Sequence, residues 1–167
     1  MSPCAIQMYD FNGWATQTLI NRLKELPESV YRQSLTSVFP SVSHALAHIY
    51  LLEWTWFEIM GGVSMADAMA RTRPAQSELE SLPLEELEAR FRRLFESFKA
   101  RLEALPDLEA VIRLDNPYAG IRDTKLSEMV LQVVNHSTYH RGNITAMLRQ
   151  MELPSVMTEY ALYWYSA

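Results

Sequence analysis

Four stretches of this chain repeat their apolar residues at alternating spacings of three and four, a rhythm that long amphipathic helices satisfy and strands do not. In the first, about Ala5 to Leu26, Ile6, Tyr9, Gly13, Thr16, Ile20 and Leu23 share one face. The second, about Ser41 to Met60, aligns Val42, Ala45, Ile49, Leu52, Trp56 and Ile59, and Gly61-Gly62 ends it as glycine ends helices. The third, about Leu84 to Leu105, stacks Leu84, Leu87, Phe91, Leu94, Phe98, Leu102 and Leu105. Pro83 suits its first turn, Glu85 and Glu86 suit its N-terminal dipole, and Pro106 stops it. The fourth, about Lys125 to Met151, aligns Leu126, Val130, Val133, Ser137, His140, Ile144, Met147 and Met151, with Asp123 or Thr124 expected as N-cap.

Four such helices with matching stripes predict an all-α fold, a four-helix bundle forming one domain over residues 1–167. Two connections are long enough to permit crossovers. Gly61 to Leu82 has room for a short helical turn. Pro106 to Arg122 holds Val111-Ile112-Arg113-Leu114 and then Asn116-Pro117-Tyr118-Ala119-Gly120, the makings of a small hairpin. The aromatic tail, Tyr160 to Tyr165, is expected to pack as a short C-terminal helix.

Charge narrows the partners. The formal net charge is −5, and the densest basic run, Arg90 to Arg101, is interleaved with Glu96 and flanked by Glu88 and Glu103. A nucleic-acid surface needs a basic stripe to neutralise phosphates, so no nucleic-acid partner is expected. The longest uncharged stretch, Gln33 to Leu52, contains Pro40, serines and two histidines, unlike the roughly 20 mostly apolar residues of a membrane span. Met1 to Trp14 lacks a secretory layout, and a lone cysteine, Cys4, offers no disulfide framework; a cytoplasmic protein is expected.

The histidines carry the chemistry. All four, His44, His48, His136 and His140, fall on two of the predicted helices. His136 and His140 stand four residues apart, roughly 40° around a helix, so both imidazoles can reach one ion. His140 occupies a core position, and burying imidazoles among aliphatic groups is costly unless their nitrogens are satisfied. His48 lies about 60° from the centre of its apolar stripe and His44 roughly 100° away, so His48 is the better third ligand and His44 a flanking residue. Other templates fail. The chain has no HExxH, no Glu-x-x-His and no second cysteine.

The segment Asn135-His136-Ser137-Thr138-Tyr139-His140-Arg141-Gly142-Asn143-Ile144 resembles the metal-bearing helix of the DinB-like (DinB/YfiT-like) metal-binding four-helix bundles. Leu46 to Trp56, around His48, resembles that family's other histidine-bearing helix. Met8 to Ala15 is similar to its first helix, and Thr158-Glu159-Tyr160 to its closing segment. The resemblance implies one divalent ion held by His48, His136 and His140, and assembly as a homodimer; imidazole ligands suit zinc and nickel alike. Asn143 stands where glutamine is usual, Glu152 where glycine often follows the helix, and Glu159 where aspartate is common.

Three neutral imidazoles leave coordination positions open, the layout of a catalytic site. The resemblance implies two uses for it. One is S-transfer, in which a low-molecular-weight thiol is activated as thiolate and attacks a small electrophile. The other is metal-dependent hydrolysis by a metal-bound hydroxide. A non-catalytic metal-binding stress or interaction protein stands as a third reading. Arg141, beside His140 on the shoulder of the fourth helix, is a candidate binder of an anionic substrate group or thiol carboxylate, with a surface or inter-helix salt bridge as the equal alternative. Glu53 and Glu58 are possible bases, expected on spacing to face solvent. The tryptophans Trp14, Trp54, Trp56 and Trp164 are read as core residues with no site role.

Overall fold

The computed structural model describes residues 4–166; residues 1–3 and 167 of the expected domain lie outside the described residues. The elements run α1 (Cys4–Lys24), α2 (Glu28–Arg32), α3 (Val42–Met60), α4 (Met65–Thr72), a 3-10 turn (Arg73–Ala75), α5 (Gln76–Ser81), α6 (Leu84–Ala104), β1 (Val111–Asn116), β2 (Gly120–Lys125), α7 (Leu126–Gln150) and α8 (Tyr160–Tyr163). The chain is mostly helical, with α1, α3, α6 and α7 as the four long members.

Each predicted stripe is inside. On α7, Leu126, Val130, Val133, Ser137, His140, Ile144 and Met147 are all buried. On α6, Leu84, Leu87, Phe91, Leu94, Phe98 and Leu102 are buried, while the opposite face carries the alternating charges. Burying such a side chain contributes on the order of 1.5–3 kcal/mol, which outweighs the weak helix propensity of residues such as Val and Phe.

Helix order around the bundle is set by contacts. α1 packs on α6 and α7, and α3 packs on the same two, so α1 faces α3 across one diagonal and α6 faces α7 across the other. The connection from α1 to α3 is therefore a crossover, although only the two later connections were expected to allow one. The connection from α6 to α7 crosses the other diagonal, and the one between α3 and α6 joins neighbours.

That middle connection holds more than one helical turn: α4, the 3-10 turn and α5. The last crossover carries the antiparallel hairpin, with Ile112 opposite Thr124 and Arg113 opposite Asp123. Asp123 and Thr124 thus belong to β2 and do not cap α7. Lys125 stands at the N-cap, its backbone N–H donating to the Glu128 carboxylate at 2.9 Å.

Two helices end in the same way. After α3, the N–H of Val63 donates to Glu58 O and that of Gly62 to Ile59 O, with Gly62 at φ +91°. After α7, Leu153 donates to Leu148 O and Glu152 to Arg149 O, with Glu152 at φ +60°. Both are Schellman motifs needing one left-handed residue. Glu152 fills that position without glycine's freedom, at a cost of roughly 1 kcal/mol.

Candidate metal centre

His48 projects from α3, and His136 and His140 from α7, across a seam where those helices are neighbours. One ring nitrogen from each lies within 4.8 Å of the other two. The closest approach, His48 Nε2 to His136 Nε2, is 3.0 Å. Ring centroids are separated by 4.9 Å for His48–His136, 4.6 Å for His48–His140 and 4.3 Å for His136–His140. Phe39 packs an edge against His140 at 5.1 Å and covers His48 at 5.2 Å.

The three nitrogens are close enough together that they could hold one ion. Two imidazole nitrogens bound at ~2.0–2.1 Å to one tetrahedral zinc stand roughly 3.3 Å apart. The site also resists protons. Burial, then the nearby charges of His140 and His48, pushes His136 down to about 3. Burial and the charge of His48 push His140 down to about 4, and burial alone lowers His48. At neutral pH all three rings keep a lone pair, as metal ligands must.

The surroundings of the three rings differ. His140 Nδ1 lies 3.1 Å from the Asn143 amide. The atom that faces the ring is Asn143 Nδ2, a donor to Nδ1; with the amide flipped, Oδ1 would accept Nδ1–H and the lone pair would stay on Nε2 for an ion. His136 Nδ1 is buried with no partner among the described residues, so this ring holds an unsatisfied polar atom whichever nitrogen carries its proton. His44 stays outside the cluster. Its Nδ1 meets Ser41 Oγ at 2.7 Å, within the N-cap of α3, and its Nε2 lies 3.7 Å from Glu80.

Matches to known proteins agree with this frame. The model of the DinB family matches residues 1–167. The chain belongs to the DinB family. It is also 45% identical over 163 residues to Protein DinB of Bacillus subtilis (strain 168), covering 98% of this chain and 95% of that protein. Within this DinB-family chain, three histidines brought together from two helices could hold a metal ion.

Arg141 sits elsewhere than expected. It is 1% exposed, not on an accessible shoulder. Its Nη1 donates to Asn12 Oδ1 at 2.6 Å and Thr16 Oγ1 at 3.2 Å, and its Nη2 to Thr138 Oγ1 at 2.8 Å. Glu53 corrects a second reading. It is buried at 3% exposure, not solvent-facing. Its carboxylate accepts from the Tyr9 hydroxyl at 2.5 Å and from Asn12 Nδ2 at 3.3 Å. Burial raises the Glu53 pKa, against the pull of Tyr9, Arg141 and Asn12. Burial lowers Arg141 to about 10, against the pull of Glu53, so the guanidinium keeps its charge at neutral pH. Glu53 and Arg141 thus belong to one network joining α1, α3 and α7.

Glu58 accepts from Trp54 Nε1 and pairs with Arg71 at 3.3 Å. Glu159 is an exposed residue at the start of α8 and makes no side-chain cap. Two residues near the centre were missed by spacing alone. Asn143 could have been found as the i+3 neighbour of His140. Trp56, read only as core, also lines a cavity with His48.

Proposed function

We propose that this protein binds one divalent ion, zinc or nickel, through His48, His136 and His140 and uses it in S-transfer from a low-molecular-weight thiol to a small electrophile. The observation that supports this best is the convergence of three proton-resistant imidazoles on one point, beside a cavity that His48 also lines. Structural metal sites close their coordination shell with four protein ligands, and here three are brought together among the described residues. When bound, the ion supplies Lewis acidity that lowers a thiol's pKa.

The chain's own residues set the conditions. His48, His136 and His140 stay neutral, so they add no positive charge to compete with the ion. Phe39 packs against two of the rings. Asn143 contacts His140 Nδ1. In the transfer, the thiol loses its proton to solvent and its sulfur forms a bond to the electrophilic carbon. The bond from that carbon to the leaving group breaks, and the leaving group departs with the electron pair. No oxidant or reductant is needed.

Elemental analysis of protein purified without a metal-affinity tag should find about one metal per chain, falling more than tenfold in His48→Ala, His136→Ala and His140→Ala. The loaded wild type should then accelerate alkylation of a small thiol, and the variants should not. Unchanged metal content in all three variants sinks the site. One metal per chain with no thiol turnover sinks the transfer reading and leaves a metal-binding bundle.

A further inference from the structure

His48 faces two ways. Besides meeting its histidine partners, it lines a cavity of about 400 Å³ between α3, α4 and the hairpin, a volume typical of small-molecule sites. Most of the exposed wall is apolar, with Leu51, Leu52, Trp56, Ile59, Met65 and Met69 in it, and the amides of Gln76, Asn116 and Gln132 are its uncharged polar members. Two threonines also line it, but Thr55 Oγ1 and Thr72 Oγ1 lie 2.7 Å apart and reach the carbonyls of Leu51 and Ala68. Their two hydroxyl hydrogens are thereby used within the protein, which leaves a ligand no donor there. No carboxylate among the described residues lines this space, and Arg73 at its edge donates to the Tyr118 hydroxyl.

The adjoining space contrasts with it. A cavity of about 580 Å³ shares Trp56, Asn116 and Gln132 with the first, but it holds the Arg122–Glu128 ion pair at 2.6 Å. Charged or strongly polar groups are better solvated in that second space. Uncharged apolar ones lose less by entering the first. Met65 and Met69 add walls that adapt to irregular shapes and make favourable contacts with aromatic rings.

We propose that the cavity beside His48 seats the uncharged apolar body of the electrophile, an aryl or branched-alkyl compound, and so selects substrates by hydrophobic fit. The word electrophile rests on the transfer reading above; the seating of an uncharged apolar molecule does not. The first test is titration of the neutral fluorophore N-phenyl-1-naphthylamine into the full-length metal-loaded protein. Wild type should bind it saturably, Met69→Glu at least tenfold more weakly, and Met69→Leu within threefold of wild type.

A measurement on wild type alone guards against misfolding of the Met69→Glu protein. Neutral 1-naphthalenemethanol should displace the fluorophore, and the cation 1-naphthylmethylammonium, which meets Arg73 and no carboxylate there, should do so at least tenfold less well. No saturable binding, binding by Met69→Glu equal to wild type, or equal displacement by the charged compound overturns the proposal. Normal binding and displacement without any thiol turnover support the apolar seat and count against the transfer reading alone.

Discussion

The Glu53–Arg141 network and the three-histidine cluster both bury polar groups against α3 and α7, yet they resolve the cost of burial in opposite ways. In the network, a carboxylate and a guanidinium are linked through Asn12, with Tyr9, Thr16 and Thr138 taking up further valences. Except at Arg141 Nε, which is buried without a partner among the described residues, donors meet acceptors, and the two charges offset each other. The cluster gathers three groups of one kind. None can neutralise another, protonation of any one penalises the rest, and His136 Nδ1 has no partner among the described residues. Paired opposite charges hold helices together, whereas three like groups gathered at one point could hold an ion.

The sharpest way to break this contrast is Arg141→Met. It strips the network of its cation and leaves Glu53 buried without a countercharge, so unfolding by denaturant should become easier by about 3–5 kcal/mol. Metal per folded chain should stay within twofold of wild type. A collapse of metal content in a well-folded Arg141→Met protein would show that the two clusters are one functional unit.

Asn143→Leu probes the cluster from outside. Removing the partner of His140 Nδ1 should weaken metal affinity about 10- to 100-fold with little change in the metal-free fold. Isothermal titration of the two proteins makes the comparison, and equal affinities would deny Asn143 its orienting role.

A smaller effect is expected from acid. In the metal-free folded state His136 and His140 take protons only near pH 3 and 4, against 6.5 for an ordinary histidine. The unfolded chain therefore binds more protons below that value, and stability must fall as pH drops from about 6.5 toward 3. The contribution is fully present above pH 6.5. Thermal melts of the chelated protein should show this slope, and His136→Asn should flatten part of it. A variant that follows the wild-type pH curve throughout would mean that His136 is freely protonated.

The smallest change touches neither cluster and calibrates the others. Glu152→Gly replaces the left-handed residue after α7 with one that adopts φ +60° without strain, and should stabilise by about 0.5–1 kcal/mol. A rise of roughly 1–4 °C in Tm follows for a domain of this size.

The long helices were legible because their stripes run for several turns, each repeating the same spatial demand. The histidine triad was legible for a similar reason. With few histidines in the chain, an i, i+4 pair and one partner on the neighbouring apolar face leave little else to choose. Helices α2, α4 and α5 were not, because so few residues cannot display a period and such pieces persist only by packing on the bundle. Thr124 has the chemistry of a cap, but Ile112 pairs with it in the hairpin, a competition no local pattern reveals. Glu53 was misread because its burial depends on Tyr9 and Asn12, which lie on another helix far away in sequence.

The diagonal arrangement of the helices has a consequence for how the centre comes into being. His48 and His136 are 88 positions apart along the chain, and the second histidine-bearing helix is the last long one to emerge during synthesis. A nascent chain carrying α1, α3 and α6 has only one of the three imidazoles in hand, so it offers an ion no chelate. On the proposed metal binding, loading would work as a checkpoint on completion: uptake would mark chains whose final long helix has docked, and fragments cut before it should stay empty.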